Sequence, residues 1–165
     1  MELPRIGLGG GCHWCTEGVF VSLDGVASVE QGWIASRTPY DLASEAVVVR
    51  YDPRLITLEQ LLDVHLRTHS AFTAHSLRGK YRSAVYYYYE EQRIRSERWL
   101  AEVKRVREQS PLTLVLPFGE FIASPPEYRD YYRTDPERPF CRRYITPKVE
   151  RLRLDRPELF SAGKQ

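Results

Sequence analysis

Two cysteines separated by two residues follow a run of glycines near the start of the chain, in the stretch GGGCHWC at residues 9–15. A cysteine reacts as its thiolate, and the free backbone N–H groups and dipole of a helix N-terminus lower the pKa of a thiol. The spacing of apolar residues predicts a helix over residues 12–23, with Cys12 at or just before its first turn. The glycines leave backbone N–H groups free to face developing negative charge. Cys12 is therefore a candidate nucleophile.

The second cysteine of the pair, Cys15, lies close to Cys12 if the helix has begun by that point. A rise of about 1.5 Å per residue on a cylinder of about 2.3 Å radius places their Cα atoms roughly 5 Å apart. This separation is inside the disulfide range of about 4.4 to 6.8 Å, so Cys15 is suited to trap an oxidised Cys12. A zinc site is the alternative, with ligands from residues 12–15 completed by Cys141, and plain burial is a third. The C-x-x-C spacing alone leaves all three interpretations open.

Two residues distant in sequence are candidates for proton chemistry beside the thiol. Glu45 lies in a predicted strand over residues 44–51, on the face that alternates with apolar residues up to Tyr51. If that face is buried, desolvation makes the carboxyl a proton donor near neutral pH, whereas a solvated glutamate at the strand edge fits the same alternation. Tyr81 begins a tyrosine-rich stretch, and its hydroxyl either donates a hydrogen bond in the site or only packs.

A pair of histidines, His65 and His69, stands one turn apart in a predicted helix over residues 58–69. Such a pair is compatible with metal binding. Because two leucines precede His65 on the apolar stripe, we interpret it as a histidine of the core or its boundary.

Size, composition and charge exclude several classes of protein. A chain of 165 residues, 42% hydrophobic and 28% charged, predicts one globular domain over residues 1–165. The formal net charge of +2 does not indicate nucleic acid or membrane as a partner. The sequence contains no apolar run of about 18 residues and no pattern typical of a signal peptide. Because both patterns are missing, we expect a soluble, cytoplasmic protein. Three cysteines do not make a disulfide framework, and a reducing compartment would keep them as thiols.

The elements that must position these residues follow from hydrophobic periodicity and turn residues. The predicted order is strand, helix, strand, strand, helix, strand, helix and strand, with loops between them. Their ranges are 4–8, 12–23, 26–32, 44–51, 58–69, 81–89, 90–109 and 112–116. Residues 33–42 and 70–80 are predicted loops, and from Phe118 onward the prolines predict irregular coil with one helical turn. This order indicates an α+β fold.

Four separated motifs resemble those of the A-type peptide methionine sulfoxide reductases, which act on the S epimer. They are GCHW at 11–14, SEAVV at 44–48, YDP at 51–53 and KYRSA at 80–84. The resemblance extends from about Ile6 to Lys148. Together with the order of predicted elements, this resemblance predicts a two-layer sandwich of a mixed or antiparallel sheet and packed helices. It also predicts a ferredoxin-like core and a long irregular C-terminal segment.

The resemblance implies a mechanism for the residues identified above. Cys12 attacks the sulfoxide sulfur of methionine sulfoxide in a peptide or protein, and Glu45 gives a proton to the sulfoxide oxygen. Methionine then leaves, Cys12 becomes a sulfenic acid, and a second thiol condenses with it to a disulfide that a thioredoxin-type reductant opens. Trp14 matches a tryptophan of the apolar seat for the substrate methyl group, and Tyr81 matches a tyrosine that hydrogen-bonds at the sulfoxide oxygen. No cofactor or metal is implied.

Three positions of the expected substrate pocket depart from the family pattern. His13 stands where phenylalanine is usual, Trp33 where a second tyrosine is usual, and Ser76 where an aspartate is usual five residues before Tyr81. One wall of the pocket is therefore more polar, and one hydroxyl and one carboxylate are absent.

The order of the thiols stays open at this point. Helix spacing favours Cys15 as the first resolving thiol, while Cys141 lies in a C-terminal segment where family members often keep a recycling cysteine. A relay from Cys12 through Cys15 to Cys141 is compatible with both observations. The rival functions are a general dithiol-disulfide oxidoreductase and a non-catalytic relative that binds sulfoxide or a metal.

Overall fold

The computed structural model describes residues 2–73 and 80–160, and its strands belong to a single six-stranded sheet. The strands are β1 (Arg5–Gly9), β2 (Val26–Ala35), β3 (Ser44–Tyr51), β4 (Ala84–Tyr87), β5 (Leu114–Pro117) and β6 (Glu120–Ala123). The α-helices are α1 (His13–Val21), α2 (Leu58–Arg67), α3 (Glu90–Arg107), α4 (Tyr131–Thr134) and α5 (Thr146–Asp155). A π-helical turn, Cys141–Ile145, precedes α5 directly.

The strands lie in the order β5-β4-β1-β3-β2-β6. Neighbours pair antiparallel throughout, except that β4 and β5 are parallel. Helix α1 connects β1 to β2, and α2 connects β3 to β4, so each helix joins two strands that are not adjacent in the sheet. The sheet is therefore mixed and the fold is α+β, as the order of predicted elements indicated.

The main hydrophobic core lies between one face of the sheet and the helices. Strand β3 contributes Val47, Val49 and Tyr51 to it, and helices α1, α2 and α5 contribute their apolar sides. Helix α2 begins at a capping box in which Thr57 accepts from the Gln60 backbone N–H at 3.1 Å and Gln60 accepts from that of Thr57 at 2.9 Å. A second cluster on the other face consists of strand residues: Ile34, Ala46, Val48, Ala84, Tyr86 and Leu116.

The end of β2 and the start of β4 each differ from the predicted boundary by three residues, and contacts between distant residues explain both differences. Strand β2 continues to Ala35 because its last four residues pair with β6, an unforeseen strand, so Trp33 lies in a strand and not in a loop. Strand β4 begins only at Ala84, because the preceding residues are held by hydrogen bonds such as that from the Arg82 N–H to Ser44 Oγ at 2.7 Å.

The segment after Phe118 was predicted to be irregular coil, and this was also wrong. It contains β6, the π-helical turn and the ten-residue helix α5. Helix α5 forms because Val149 and Leu152, three residues apart, are both buried against the main core. Within residues 2–73 and 80–160, no helix has the length and apolarity that crossing a membrane requires.

Candidate active site

The candidate residues meet at one edge of the sheet because the central strands are antiparallel. Gly9, the last residue of β1, lies opposite Ala46 near the start of β3 and opposite Ala84 at the start of β4. Near the end of β2, Trp33 lies opposite Glu45. Two strand ends and two strand beginnings therefore share this edge. It carries Cys12, Trp33, Glu45 and Tyr81.

Cys12 occupies the N-cap position of α1, as its sequence position predicted, with φ −58° and ψ 131°. A hydrogen bond from the Cys15 thiol lowers the pKa of Cys12 to about 6, and the backbone N–H groups of Trp14 and Cys15 add to this. Partial burial and the negative charge of Glu45 oppose the shift without reversing it. Cys12 is thus a thiolate at neutral pH, which is the form that attacks electrophiles.

Cys15 is held in the opposite protonation state. Its hydrogen bond to Cys12, partial burial and the negative charge of Cys12 raise the pKa of Cys15 far above the ordinary value for a thiol. The motif therefore combines one thiolate with one thiol in contact. A thiol that already faces the reactive sulfur is well placed to attack it after oxidation.

The glycine run before Cys12 packs closely against α2 and the residue that follows it. A Cβ atom at Gly10, whose φ is +155°, would lie 2.7 Å from His69 Nε2. His65, buried as predicted, donates its Nε2 proton to the Gly9 carbonyl at 2.7 Å. His69 donates its Nδ1 proton to the His65 carbonyl and places Nε2 2.8 Å from Ser83 Oγ. These contacts fix the backbone that leads into Cys12.

Glu45 is buried, with 6% of its surface exposed, on the strand face that packs against the main core. Its Oε1 accepts the backbone N–H of His13 at 3.2 Å and lies 3.6 Å from His13 Nε2. Its Oε2 lies 3.6 Å from the Nζ atom of Lys80. The Glu45 carboxyl is thus held against His13, the first residue of α1, which directly follows Cys12.

His13 is also buried and packs away from the thiol pair. Its Nδ1 lies 3.0 Å from the Gly32 carbonyl oxygen in β2. The Trp33 ring meets the His13 ring edge-on, with 5.1 Å between centroids.

Trp14, the expected seat for a substrate methyl group, lies under aromatic side chains of the C-terminal segment. Tyr131 stacks on its ring at 4.3 Å between centroids with 8° between planes, and Phe140 meets it edge-on at 5.6 Å. Trp14 Nε1 is buried and has no hydrogen-bond partner among the described residues. These aromatic partners were not predicted, although several aromatic residues of that segment are visible in the sequence.

Glu17 fixes the segment that carries these aromatic residues, and its role was also missed. Its buried carboxylate accepts the backbone N–H groups of Asp130 at 2.8 Å and Tyr131 at 3.1 Å, and the Gln31 side chain at 2.8 Å. Desolvation raises the pKa of Glu17, while these three donors oppose the shift. The Gln31 amide also donates to the Tyr128 carbonyl at 2.7 Å. The sequence feature that could have indicated this role is a glutamate, Glu17, within an otherwise apolar helix face.

Cys141 lies in the π-helical turn and is fully buried, with 0% of its surface exposed. It packs in the main core, and Cys15 packs against the same cluster. Desolvation raises the pKa of Cys141. Attack by or on this sulfur therefore requires movement of the segment that contains it.

A cavity of about 560 Å³ opens beside the thiol pair. Its lining includes Cys12, Cys15, Thr16, His69, Tyr81, Phe140, Tyr144 and Lys148. Lys148 donates to the Thr68 carbonyl at 2.7 Å, which fixes a positive charge on this wall. Of the predicted substrate-pocket residues, His13, Trp14 and Trp33 are not among the described residues that line this cavity. Ser76 lies outside the described residues.

The remaining sequence expectation concerned a metal site. Among the described residues, no group of three or more histidine, cysteine, aspartate or glutamate side chains is arranged to hold a metal ion. The predicted zinc alternative, built on residues 12–15 and Cys141, therefore has no geometric support in that part of the chain.

Comparison with known proteins assigns the chain to a family. A family model described as "Peptide methionine sulfoxide reductase" matches residues 4–158. The peptide methionine sulfoxide reductase MsrA of Thermus thermophilus is 33% identical over 161 residues, which cover 88% of this chain and 91% of that protein.

Two solved structures share the fold at lower identity. Reduced Mxr1 from Saccharomyces cerevisiae has a TM-score of 0.73 at 20% identity, over 82% of this chain and 87% of that one. Mxr1 in complex with Trx2 has a TM-score of 0.61 at 20% identity, over 79% and 85%. Since the family model spans nearly the whole chain, and a relative that is 33% identical covers most of it, the chain belongs to the peptide methionine sulfoxide reductase family.

Proposed function

We propose that the chain carries out thiol-dependent reduction of the S epimer of methionine sulfoxide, in peptides or as the free amino acid, at Cys12. We assign the reaction to the sulfur of Cys12 because its pKa is lowered to about 6. Cys12 also lies at the N-terminus of α1, beside the buried carboxyl of Glu45. Membership of the family supports the reaction itself.

In the proposed first step, the Cys12 thiolate attacks the sulfoxide sulfur and the sulfoxide oxygen takes a proton that Glu45 supplies. This attack forms a bond between Cys12 Sγ and the substrate sulfur. The protonated oxygen then passes to Cys12 Sγ as the sulfur–oxygen bond of the substrate and the new sulfur–sulfur bond break, so methionine leaves and Cys12 remains as a sulfenic acid. Sulfur is reduced in the substrate and oxidised in the enzyme, so the electrons balance. Burial of Glu45 supports its role, because little water competes with the substrate for its proton.

In the proposed second step, Cys15 attacks the sulfenic sulfur, a disulfide forms and water leaves. The contact between the two thiols in the reduced protein supports Cys15 as the first resolving residue. Cys141 is the proposed second resolving thiol in a relay, acting only when its segment moves. An external dithiol then reduces the disulfide.

Binding of the substrate is proposed to involve Tyr81, which lines the cavity beside Cys12 and donates its hydroxyl proton to the sulfoxide oxygen. We propose that the substrate also contacts residues outside the lining of this cavity, namely His13, Trp14, Trp33 and Ser76. The aromatic character of Trp14 and its position next to Cys12 support this assignment.

The proposed reductant is a thioredoxin-type protein. The support is that Mxr1 from Saccharomyces cerevisiae, which shares the fold, has been crystallised in complex with Trx2. We also propose a single domain over residues 1–165, which the single sheet formed by the described strands supports. We propose a cytoplasmic location, and the three free cysteines fit the reducing conditions of that compartment. A two-layer, ferredoxin-like core is proposed as well, and the interleaved connections β1-α1-β2 and β3-α2-β4 support it.

The test is an epimer-resolved assay with dithiothreitol as reductant. We expect the purified protein to reduce the S epimer and not the R epimer, and Cys12→Ser to abolish the reaction. A general dithiol-disulfide oxidoreductase would instead reduce disulfides without needing Glu45, so Glu45→Gln separates the two functions. Absence of turnover with either epimer would refute the proposal.

Peptide mapping after one turnover tests the order of the thiols. We expect a Cys12–Cys15 disulfide. A Cys12–Cys141 bond in protein with Cys15 intact would overturn the proposed order.

A further inference from the structure

Lys148, near the start of α5, brings a positive charge to the cavity beside the thiol pair. Its ammonium group donates to the Thr68 carbonyl oxygen at 2.7 Å, and Thr68 lines the same cavity. An ammonium group has three N–H donors, and this carbonyl takes one of them. A carbonyl oxygen carries no net charge, so the contact holds the ammonium group in place without neutralising it.

Two basic side chains on α2 and α5, by contrast, are paired with carboxylates. Arg67 Nε lies 3.0 Å from Asp63 Oδ2, and Arg151 Nε lies 3.0 Å from Asp155 Oδ2. Within residues 2–73 and 80–160, Lys148 forms no ion pair with a carboxylate. Its charge is therefore available to an anionic group of a ligand.

The electrostatic influence of Lys148 reaches the reacting thiols. The hydrogen bond to Cys12, burial and the negative charge of Cys12 raise the pKa of Cys15, and the positive charge of Lys148 opposes this rise. A charge affects a thiol in this way only when the two are close. The ammonium group and the thiol pair therefore belong to one compact site.

The lining of this cavity favours one sign of charge in a ligand. None of the described residues that line it is an aspartate or a glutamate. Glu45 is buried against His13 and is not part of the described lining. The described lining thus offers an ammonium group to a carboxylate, but it offers no carboxylate to an ammonium group.

The size of the cavity suits a whole methionine sulfoxide residue. A volume of about 560 Å³ lies within the range of small-molecule sites, about 300 to 1,000 Å³. In methionine sulfoxide, four single bonds separate the sulfur from the α-carboxylate carbon, so these atoms lie roughly 5 Å apart in the extended residue. A residue whose sulfur meets Cys12 can therefore keep its carboxylate inside the same cavity.

We propose that Lys148 is a specificity-determining residue, which binds the α-carboxylate of a methionine sulfoxide at the C-terminus of a peptide while Cys12 attacks its sulfur. This inference rests on the proposed function of Cys12. A C-terminal residue has the carboxylate that pairs with Lys148, and its nitrogen belongs to an uncharged amide. The free amino acid carries an additional ammonium group, for which the described lining has no carboxylate. A residue inside a peptide has no α-carboxylate and gains no ion pair.

The test compares two substrates that differ by one negative charge. They are N-acetyl-methionine S-sulfoxide, which ends in a carboxylate, and its N-methylamide. Initial rates with dithiothreitol give kcat/KM for each. For the wild type we expect the carboxylate to be preferred at least about five-fold, because hydrogen bonds to charged groups are stronger than those between neutral groups. Added salt should lower this ratio by screening the ion pair.

Three variants determine whether Lys148 causes the preference. Lys148→Met removes the charge at similar length, so we expect the ratio to fall to about 1 or below, since the Cys12 thiolate then repels the carboxylate. Lys148→Arg retains the charge and should keep a preference for the carboxylate. Lys104→Met, the matched control, replaces an exposed lysine of α3 and should keep the wild-type ratio. Each ratio compares two substrates on one protein, so partial misfolding of a variant cancels.

The outcomes separate this inference from the proposed function. A ratio near 1 in the wild type, or an unchanged ratio in Lys148→Met, would overturn the role of Lys148. The C-terminal assignment would be overturned if free methionine S-sulfoxide reacted faster than the acetylated form. It would also be overturned if an acetylated peptide amide with aspartate after the methionine S-sulfoxide had the higher kcat/KM, because that carboxylate belongs to a neighbouring side chain. Absence of turnover with every substrate would instead refute the proposed function, and the role of Lys148 with it.

Discussion

Replacing Cys15 with alanine removes the thiol that makes the largest contribution to the low pKa of Cys12. At a pKa of about 6, roughly nine-tenths of Cys12 is thiolate at pH 7, whereas a thiol at the ordinary value of about 8.5 is only about 3% ionised. The backbone N–H groups of Trp14 and Cys15 remain in the variant and retain part of the shift. We therefore expect the titration midpoint of Cys12 to rise by at least about 1 unit in Cys15→Ala.

The measurement is the rate of alkylation of Cys12 by iodoacetamide as a function of pH, followed by mass spectrometry of the peptide that contains it. Cys141 does not interfere, because its side chain is fully buried in the folded protein. The midpoint is the informative quantity. A more basic thiolate is intrinsically more nucleophilic, with a Brønsted coefficient of about 0.4 to 0.5, so the plateau rate at high pH should increase in the variant.

Cys15→Ser is the matched control, since a hydroxyl of similar size still donates to Cys12. Its midpoint should lie between those of the wild type and Cys15→Ala. A midpoint near pH 6 in Cys15→Ala would show that the helix N-terminus alone holds Cys12 as a thiolate, and the reasoning from the thiol contact would be refuted.

Two further predictions concern the surroundings of the thiols. Glu17→Gln leaves one acceptor oxygen for three N–H donors, so we expect a loss of about 1.5 to 3 kcal/mol in the free energy of unfolding by urea. Glu30 is exposed, so Glu30→Gln should change the free energy of unfolding by less than about 0.5 kcal/mol. Equal losses in the two variants would contradict the proposed role of the buried Glu17 carboxylate. Gly10→Ala pushes a methyl group against His69 and should both destabilise the fold by about 1 to 3 kcal/mol and slow alkylation of Cys12. Gly11→Ala, whose Cβ would meet no described residue closer than 4.0 Å, should do neither, and similar behaviour of the two variants would count against the close packing.

Much of the local structure was predictable because its causes lie within a few residues of one another. The apolar spacing after Cys12 placed this residue at the start of α1, and the capping-box spacing at Thr57 marked the start of α2. The alternation in residues 44–51 predicted β3 with its observed boundaries. The α+β class followed from the order of these elements.

The errors arose where contacts distant in sequence decide the structure. The polar residues near Trp33 predict a loop, whereas the end of β2 is a strand because it pairs with β6, about 90 residues later. The prolines after Phe118 predict irregular coil, whereas α5 forms there because Val149 and Leu152 are buried against the main core. Neither cause is visible in a window of local sequence.

The same division applies to the site. By itself, the sequence determined which groups can do the chemistry, namely the thiols of Cys12 and Cys15 and the carboxyl of Glu45, and it placed Cys12 at a helix N-terminus. Only the tertiary structure decided that Glu45 faces His13 and that the Cys15 thiol contacts Cys12. Side-chain type and local periodicity can be read directly from the sequence. Contacts between residues more than 30 positions apart depend instead on strand register and on how the helices pack against the sheet.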